Sequence, residues 1–249
     1  MDRGRWTIPM AILAIETATR QLGVAVVQED QVLAAYELLA DYPHAVELPG
    51  AVTRVLKEAG TTLEQLEAIA VDIGPGSFTG LRIGLAFVKA LAFPAKKPLV
   101  GVVSLDVLSA NLSFAPRLVC PVLDARQKNL YAAFYRMQDG QAVRQSDHML
   151  GPAEEILGMV KEPAIFLGDG IARYRELILQ RCPTPQFAEP ELWLPRAATL
   201  GRLAEARVRR GDTDAPERLV PLYLYPLDCS VRGPNRPSSI LPSTIVRSS

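Results

Sequence analysis

Four carboxylates stand at or near the ends of apolar runs: Glu16 after AILAI, Asp72 inside IAVDI, Asp124 after LVCPVL, and Asp169 between two glycines after AIFL. In open α/β sheets the carboxyl ends of strands line the ligand crevice. Acids converging there could hold Mg²⁺, which prefers oxygen ligands, and through it a phosphate. That is the layout of an active Mg-ATP-dependent phosphotransferase, or of a carboxylate-cluster nuclease. Each acid also reads as a turn cap, because Asp accepts hydrogen bonds from the backbone that follows it. Asp124 before Ala-Arg and Asp169 between glycines suit that role as well. Both readings stand at this point.

The richest local signal is the run Gly74-Pro75-Gly76-Ser77-Phe78-Thr79-Gly80-Leu81-Arg82-Ile83-Gly84. Glycines let the backbone turn tightly and approach other groups closely. Ser77 is placed to cap the helix that follows. The run lacks G-K-[ST] and does not match G-x-G-x-x-G, so as phosphate chemistry it is weak. Gly80 and Gly84 are one helical turn apart, as are Ala86 and Ala90, with Leu81, Leu85 and Val88 beside them. Small residues so spaced admit a neighbouring backbone, either within the same lobe or from another helix. Too much of this helix is apolar or small for one buried face, which points to a second buried face against a partner chain. His44 and His148 read as structural. Ser77, Ser104 and the cysteines have no His–acid arrangement beside them in sequence.

Composition narrows the choice. Among 249 residues Lys+Arg and Asp+Glu both number 27, so the formal net charge is zero. A protein that grips nucleic acid by bulk charge needs clustered cations, which tells against the nuclease. With two histidines a multi-histidine metal site is hard to build. Cys120, Cys182 and Cys229 are odd in number and widely spaced, as in a reduced, cytoplasmic protein. No run is read as a membrane span, and the start runs into Glu16 and a second apolar segment, unlike a signal peptide.

The elements that must position these residues come as one unit used twice. Residues 11–16, 22–28 and 32–38 read as strand and hairpin, 45–60 as a helix stopped by Gly60, 69–73 as a strand, 81–93 as a helix stopped by Pro94, 99–103 as a strand and 104–112 as a short helix. The second copy reads 118–123 to Asp124, 129–136 and 142–149 as a hairpin around Asp139-Gly140, a helix from Pro152, a strand at 164–167 and a helix to about Arg181. The repeat predicts two similar α/β lobes with mixed sheets and flanking helices. The expected domains are 10–115 and 116–232. A last amphipathic helix at 197–210 has the option of packing back on the first lobe. Its Arg202, Arg207, Arg209 and Arg210 are read as a solvated face. Residues 1–9 and 233–249 are expected to be disordered.

ILAIETAT near the start, His44 before a helix, GPGSFTGLRIGLAFVKALA, GVVSLDVL, DAR at 124–126 before a Tyr-containing strand, and GDG at 168–170 together resemble the TsaB (YeaZ) family of bacterial tRNA threonylcarbamoyladenosine biosynthesis proteins. The resemblance runs in order over about residues 11–225. It implies a duplicated actin-like, Hsp70-like ATPase (RNase H-like) fold. It implies a scaffold and not an enzyme: a degenerate paralogue of TsaD, which transfers a threonylcarbamoyl group to N6 of an adenosine in tRNA. TsaD carries a metal-binding H-x-x-x-H after the strand equivalent to 99–103, where this chain has Ser104-Leu105-Asp106-Val107-Leu108. No metal and no cofactor is therefore expected here. The implied partners are TsaD and the ATPase TsaE, with tRNA met only through the complex, no membrane, and a homodimer when the partners are absent. The implied interface uses helices 45–59 and 77–92, with Val52, Val55, Leu56, Gly80, Leu81, Gly84, Leu85 and Val88 as contact residues. Arg placed at Gly84 or Val88 is expected to break assembly. Two departures stand out: the family usually has Asp at Glu16, and its Tyr-Leu-Arg near the C-terminus is Tyr223-Leu224-Tyr225 here.

Overall fold

The computed structural model describes residues 11–39 and 44–224. The readings placed on 1–9, Pro43, Tyr225, Cys229 and 233–249 lie outside the described residues.

The chain divides into two compact units. Of the described residues, the first takes 11–39, 44–73, Ser77–Val102 and Arg196–Val220; the second takes Gly74–Gly76, Val103–Pro195 and 221–224. The division thus falls after Val102 and not after 115. The reason is the short helix at Ser104–Ala110, whose Leu105 and Leu108 are buried with Val119, Leu123, Tyr135 and Leu167 of the second unit.

In the first unit β1 (Ala11–Glu16), β2 (Gln21–Gln28) and β3 (Gln31–Leu39) form an antiparallel meander. α1 (His44–Glu58) leads to β4 (Ala68–Asp72), then α2 (Phe78–Ala95) and β5 (Leu99–Val102). β4 and β5 add in parallel, giving the order β3-β2-β1-β4-β5. The period of two along β2 decides what covers each side. Leu22, Val24 and Val26 join the core shared with α1 and α2, whereas Ala25 and Val27 meet Ala197. β1 is buried along its whole length, as a central strand with both faces covered must be.

The second unit opens with α3 (Ser104–Ala110) and repeats the plan: β6 (Leu118–Asp124), β7 (Asn129–Ala132), β8 (Tyr135–Gln138), β9 (Gln141–Arg144), β10 (Met149–Pro152), α4 (Ala153–Gly158), β11 (Ala164–Leu167), α5 (Ile171–Arg181) and β12 (Gln186–Phe187). Its principal order, β10-β7-β6-β11-β12, mirrors the first sheet. The expected single strand at 129–136 is broken. The N–H of Phe134 turns to Ser146 Oγ at 3.0 Å, and its carbonyl accepts from Gln145 at 2.7 Å. β8 and β9 then form their own hairpin, with β8 paired to β6 at Val119.

α6 (Ala197–Val208) belongs to the first unit and packs on β1 and β2. A Cβ on Gly201 would meet Val27 Cγ2 at 2.6 Å, so the helix needs glycine there to reach the sheet. Its arginines are tethers as well as a solvated face. Arg207 donates to the carbonyl of Gly101 at 2.7 Å and pairs with Asp212 and Asp214, and Arg209 pairs with Glu205 and Asp30.

α2 corrects one expectation. At 18 residues it is, by length and composition, long and apolar enough to cross a membrane. Its burial shows another use for that composition: Gly80, Leu81, Gly84, Leu85, Val88 and Ala92 face the core of the first unit, and Arg82 and Lys89 lie within its length. The helix runs through Pro94 to Ala95 because Lys96 closes it in the left-handed conformation, its N–H reaching Ala92 and Phe93.

Candidate docking face and acid pairs

Residues of the first unit place Glu16 and Asp72 at the ends of the adjacent parallel strands β1 and β4. Both are fully buried. Glu16 Oε1 accepts the Ala18 N–H at 2.7 Å, and the Glu16 carboxyl is in hydrogen-bonding contact with Asp72. Glu16 Oε2 meets no donor among the described residues. Two facing carboxyls have only acceptors when ionised, so one proton between them is the arrangement that satisfies both. Burial, then the charge of Asp72, pushes the Glu16 carboxyl well above its ordinary value.

The acids of the second unit behave differently. Asp124 Oδ1 accepts the N–H of Arg126 at 2.9 Å, and Asp169 Oδ1 accepts the N–H of Asp124 at 3.1 Å. Asp124 also pairs with Arg173 at 3.5 Å and Arg126 at 3.8 Å. These are the turn-organising roles open from the sequence. No group of three or more His, Cys, Asp or Glu side chains gathered as metal ligands occurs among the described residues.

The residues assigned to an interface are instead interior. Val52, Val55, Leu81, Leu85 and Val88 belong to the core of the first unit, Gly80 and Gly84 are buried, and Leu56 is half-buried against the same core. The glycine pair does admit a close neighbour, but that neighbour is Thr17. A Cβ on Gly80 would stand 2.0 Å from the Thr17 carbonyl oxygen, and one on Gly84 would stand 2.2 Å from Thr17 Oγ1. Thr17 Oγ1 donates to the Gly80 carbonyl at 2.9 Å. Ser77 caps the helix as its position suggested, accepting the Gly80 N–H at 3.2 Å.

What α1 and α2 leave outward is a different set. Val46 is 75% exposed, Phe78 54% and Phe93 83%, with Ala86 and Ala90 also exposed. Ile83 and Phe87 are half-buried beside them. This outward surface carries aromatic and aliphatic side chains, small residues and the exposed Arg82, whose guanidinium lies 3.8 Å from the centre of the Phe78 ring. The helical pattern of α2 carried this signal, but its phase could not be read, since apolar residues occur around the whole helix.

One cluster escaped the sequence reading. Asp106 in α3 receives the Tyr135 hydroxyl at 2.6 Å and the His148 Nε2–H at 3.0 Å on the same oxygen. His148 Nδ1 accepts from Arg144 at 2.9 Å. Burial raises Asp106, but the bonds from His148 and Tyr135 outweigh it, so its carboxyl titrates below the usual range. Asp106 stands between Ser104 and Leu108, both buried. Cys120 and Cys182 are buried free thiols pushed up by burial, Cys182 to about 11, and are poor nucleophiles. His44 Nε2 donates to the Thr19 carbonyl at 2.9 Å, a structural tie.

The family model described as TsaD, tRNA N6-adenosine threonylcarbamoyltransferase, matches residues 38–227. The tRNA threonylcarbamoyladenosine biosynthesis protein TsaB of Bacillus subtilis strain 168 is 35% identical over 172 residues, 68% of this chain and 75% of that protein. TsaB of Escherichia coli K12 is 29% identical over 222 residues, 86% of this chain and 94% of that protein. The solved YeaZ of Pseudomonas aeruginosa superposes with a TM-score of 0.76 at 29% identity, covering 86% of this chain and all of that one. The two sheets share one principal strand plan, as the expected duplicated α/β fold requires. With this likeness extending over most of its length, the chain belongs to the TsaB (YeaZ) family of tRNA threonylcarbamoyladenosine biosynthesis proteins, within the wider group that the TsaD model describes.

Proposed function

We propose that this chain is a non-catalytic subunit for N6-threonylcarbamoyladenosine formation in tRNA, acting by docking on the catalytic TsaD subunit. The observation that carries this reading is the start of α3. By the resemblance to TsaD, Ser104 and Leu108 stand at the two positions of its metal-binding imidazoles; both are buried, and Leu108 lies in a hydrophobic cluster. Neither side chain can serve as an imidazole ligand. The chain's only histidines, His44 and His148, are engaged with Thr19 and with Asp106.

The docking surface is the outward side of α1 and α2: Val46, Phe78, Ala86, Ala90 and Phe93. The same surface serves a homodimer when TsaD is absent, so the two assemblies compete. The ATPase TsaE joins the complex, tRNA is met only through it, and the work takes place in the cytoplasm. The test is co-purification with the cognate TsaD and an assay of the modified nucleoside in the presence and absence of this chain. Modification that needs both proteins supports the reading. Formation of the nucleoside by this chain unaided, or turnover of Mg-ATP by it alone, defeats it.

A further inference from the structure

The turn from β1 to β2 is short, yet the residues from Glu16 to Thr19 reach β4, α2 and α1. Glu16 contacts Asp72 at the end of β4. Thr17 donates to the Gly80 carbonyl in the first turn of α2 at 2.9 Å. The Ala18 carbonyl accepts the N–H of Ser77, the cap of α2, at 2.6 Å. The Thr19 carbonyl accepts from His44, the first residue of α1, at 2.9 Å. The starts of both helices therefore hang on three consecutive residues, Thr17, Ala18 and Thr19.

Glu16 organises those residues. Its Oε1 takes the amide of Ala18 at 2.7 Å, which closes the turn from within. It does so at a cost, because a fully buried acid with a second acid in contact is an unfavourable way to close a turn. The cost falls at a turn that touches both helices. We propose that Glu16 is the positioning residue of the docking face: its carboxyl shapes the β1–β2 turn, and the turn sets α1 and α2 in register with one another. A recognition surface split between two helices works only if their relative placement is held to within about 0.5 Å. This inference rests on the docking reading above for its functional consequence, but not for its structural one.

The experiment has two arms. In the first, hydrogen exchange is followed on the chain alone at residues 44–50 and 77–82. Glu16→Ala speeds exchange at both helix starts, about tenfold or more, relative to wild type. Thr17→Val speeds it at α2 only. Glu16→Gln, which keeps an oxygen for the Ala18 N–H, restores protection. In the second arm, affinity for the cognate TsaD is measured by calorimetry at a temperature where every variant is folded. Glu16→Ala weakens binding about tenfold, and Glu16→Gln recovers it to within about threefold. The control is Glu205→Ala, which loosens the β2–β3 hairpin and not this turn. The proposal is overturned if Glu16→Ala leaves exchange unchanged at either helix start, or if Glu205→Ala weakens binding as much as Glu16→Ala. Should Glu16→Ala not fold, Glu16→Met, which fills the same buried space but offers no carboxyl oxygen to the Ala18 N–H, is read by the same criteria, and unchanged exchange at either helix start overturns the proposal. If wild type does not bind TsaD at all, the docking reading fails, while the exchange arm still judges the role of Glu16.

Discussion

Glu205, fully buried in α6, accepts the backbone N–H of Glu29 at 2.6 Å across a separation of 176 residues. Its other oxygen takes the N–H of Asp30 at 3.0 Å. Glu29 and Asp30 are both left-handed, with φ of 51° and 64°, so their amides point together into one small cradle. Arg209 completes the arrangement at 2.9 Å from Glu205. A carboxylate from the last helix thereby locks the first hairpin. Glu205→Ala leaves two amides without their acceptor and takes one of the two carboxylate partners from Arg209, and should cost about 2–4 kcal/mol. Glu205→Gln, which keeps one acceptor, should cost less. Urea midpoints of the two variants check this, and an alanine variant as stable as wild type would count against the lock.

The Glu16–Asp72 pair predicts a pH dependence with a definite sign. Burial first, then the charge and hydrogen bond of Asp72, raise the Glu16 carboxyl in the folded state. The folded protein holds that proton after the unfolded chain has released it. The contribution to stability is complete below the ordinary carboxylate value of 4.5 and is lost as pH climbs from there through the folded value. Glu16→Gln carries a permanent neutral group, so its stability should fall less steeply over that window. Denaturation series at several pH values compare the two curves; parallel curves contradict a shared proton.

Gly80 and Gly84 should respond differently to alanine. The Cβ at 84 meets Thr17 Oγ1, the movable end of a side chain, whereas the Cβ at 80 meets a backbone oxygen. Gly84→Ala should destabilise by about 1–3 kcal/mol, and Thr17→Ala should recover much of it. Gly80→Ala should be the more damaging, with no such recovery. A double-mutant cycle reads the coupling, and additive effects at Gly84 and Thr17 would show that they do not touch.

The outward face and the inward face of α2 separate assembly from folding. Arg at Val88 or Gly84 enters the core of the first unit and should unfold it, so loss of assembly there says nothing about an interface. Ala86→Arg and Phe93→Glu alter exposed positions and should leave the melting temperature within a few degrees while abolishing association. Light scattering and pull-down against TsaD make the comparison, and wild-type association by both outward variants would remove this face from consideration.

Much of the plan was legible because it depends on local pattern. AILAIE, LGVAVVQ and AIFL are short apolar runs bounded by turn residues, and they form β1, β2 and β11. The acids that end them are where a strand's last residue meets its turn. The hairpin β8–β9 was hidden because the break at Phe134 is made by Ser146, a partner that no pattern within the strand announces. The Asp106 cluster was hidden for the same reason, drawing Tyr135 and His148 from 29 and 42 residues away. The phase of α2 was misread because its apolar residues encircle the helix, leaving periodicity without a preferred side.

By itself the order of residues determined that one strand–hairpin–helix–strand–helix unit is built twice, since alternation and helical spacing are properties of neighbours along the chain. Tertiary structure alone decided that Gly80 and Gly84 seat on Thr17 and not on another helix, and that Glu205 closes a hairpin near the opposite end of the chain. Those are close approaches between distant segments, and which pairs can approach is settled by the volume and hydrogen-bonding needs of the assembled core.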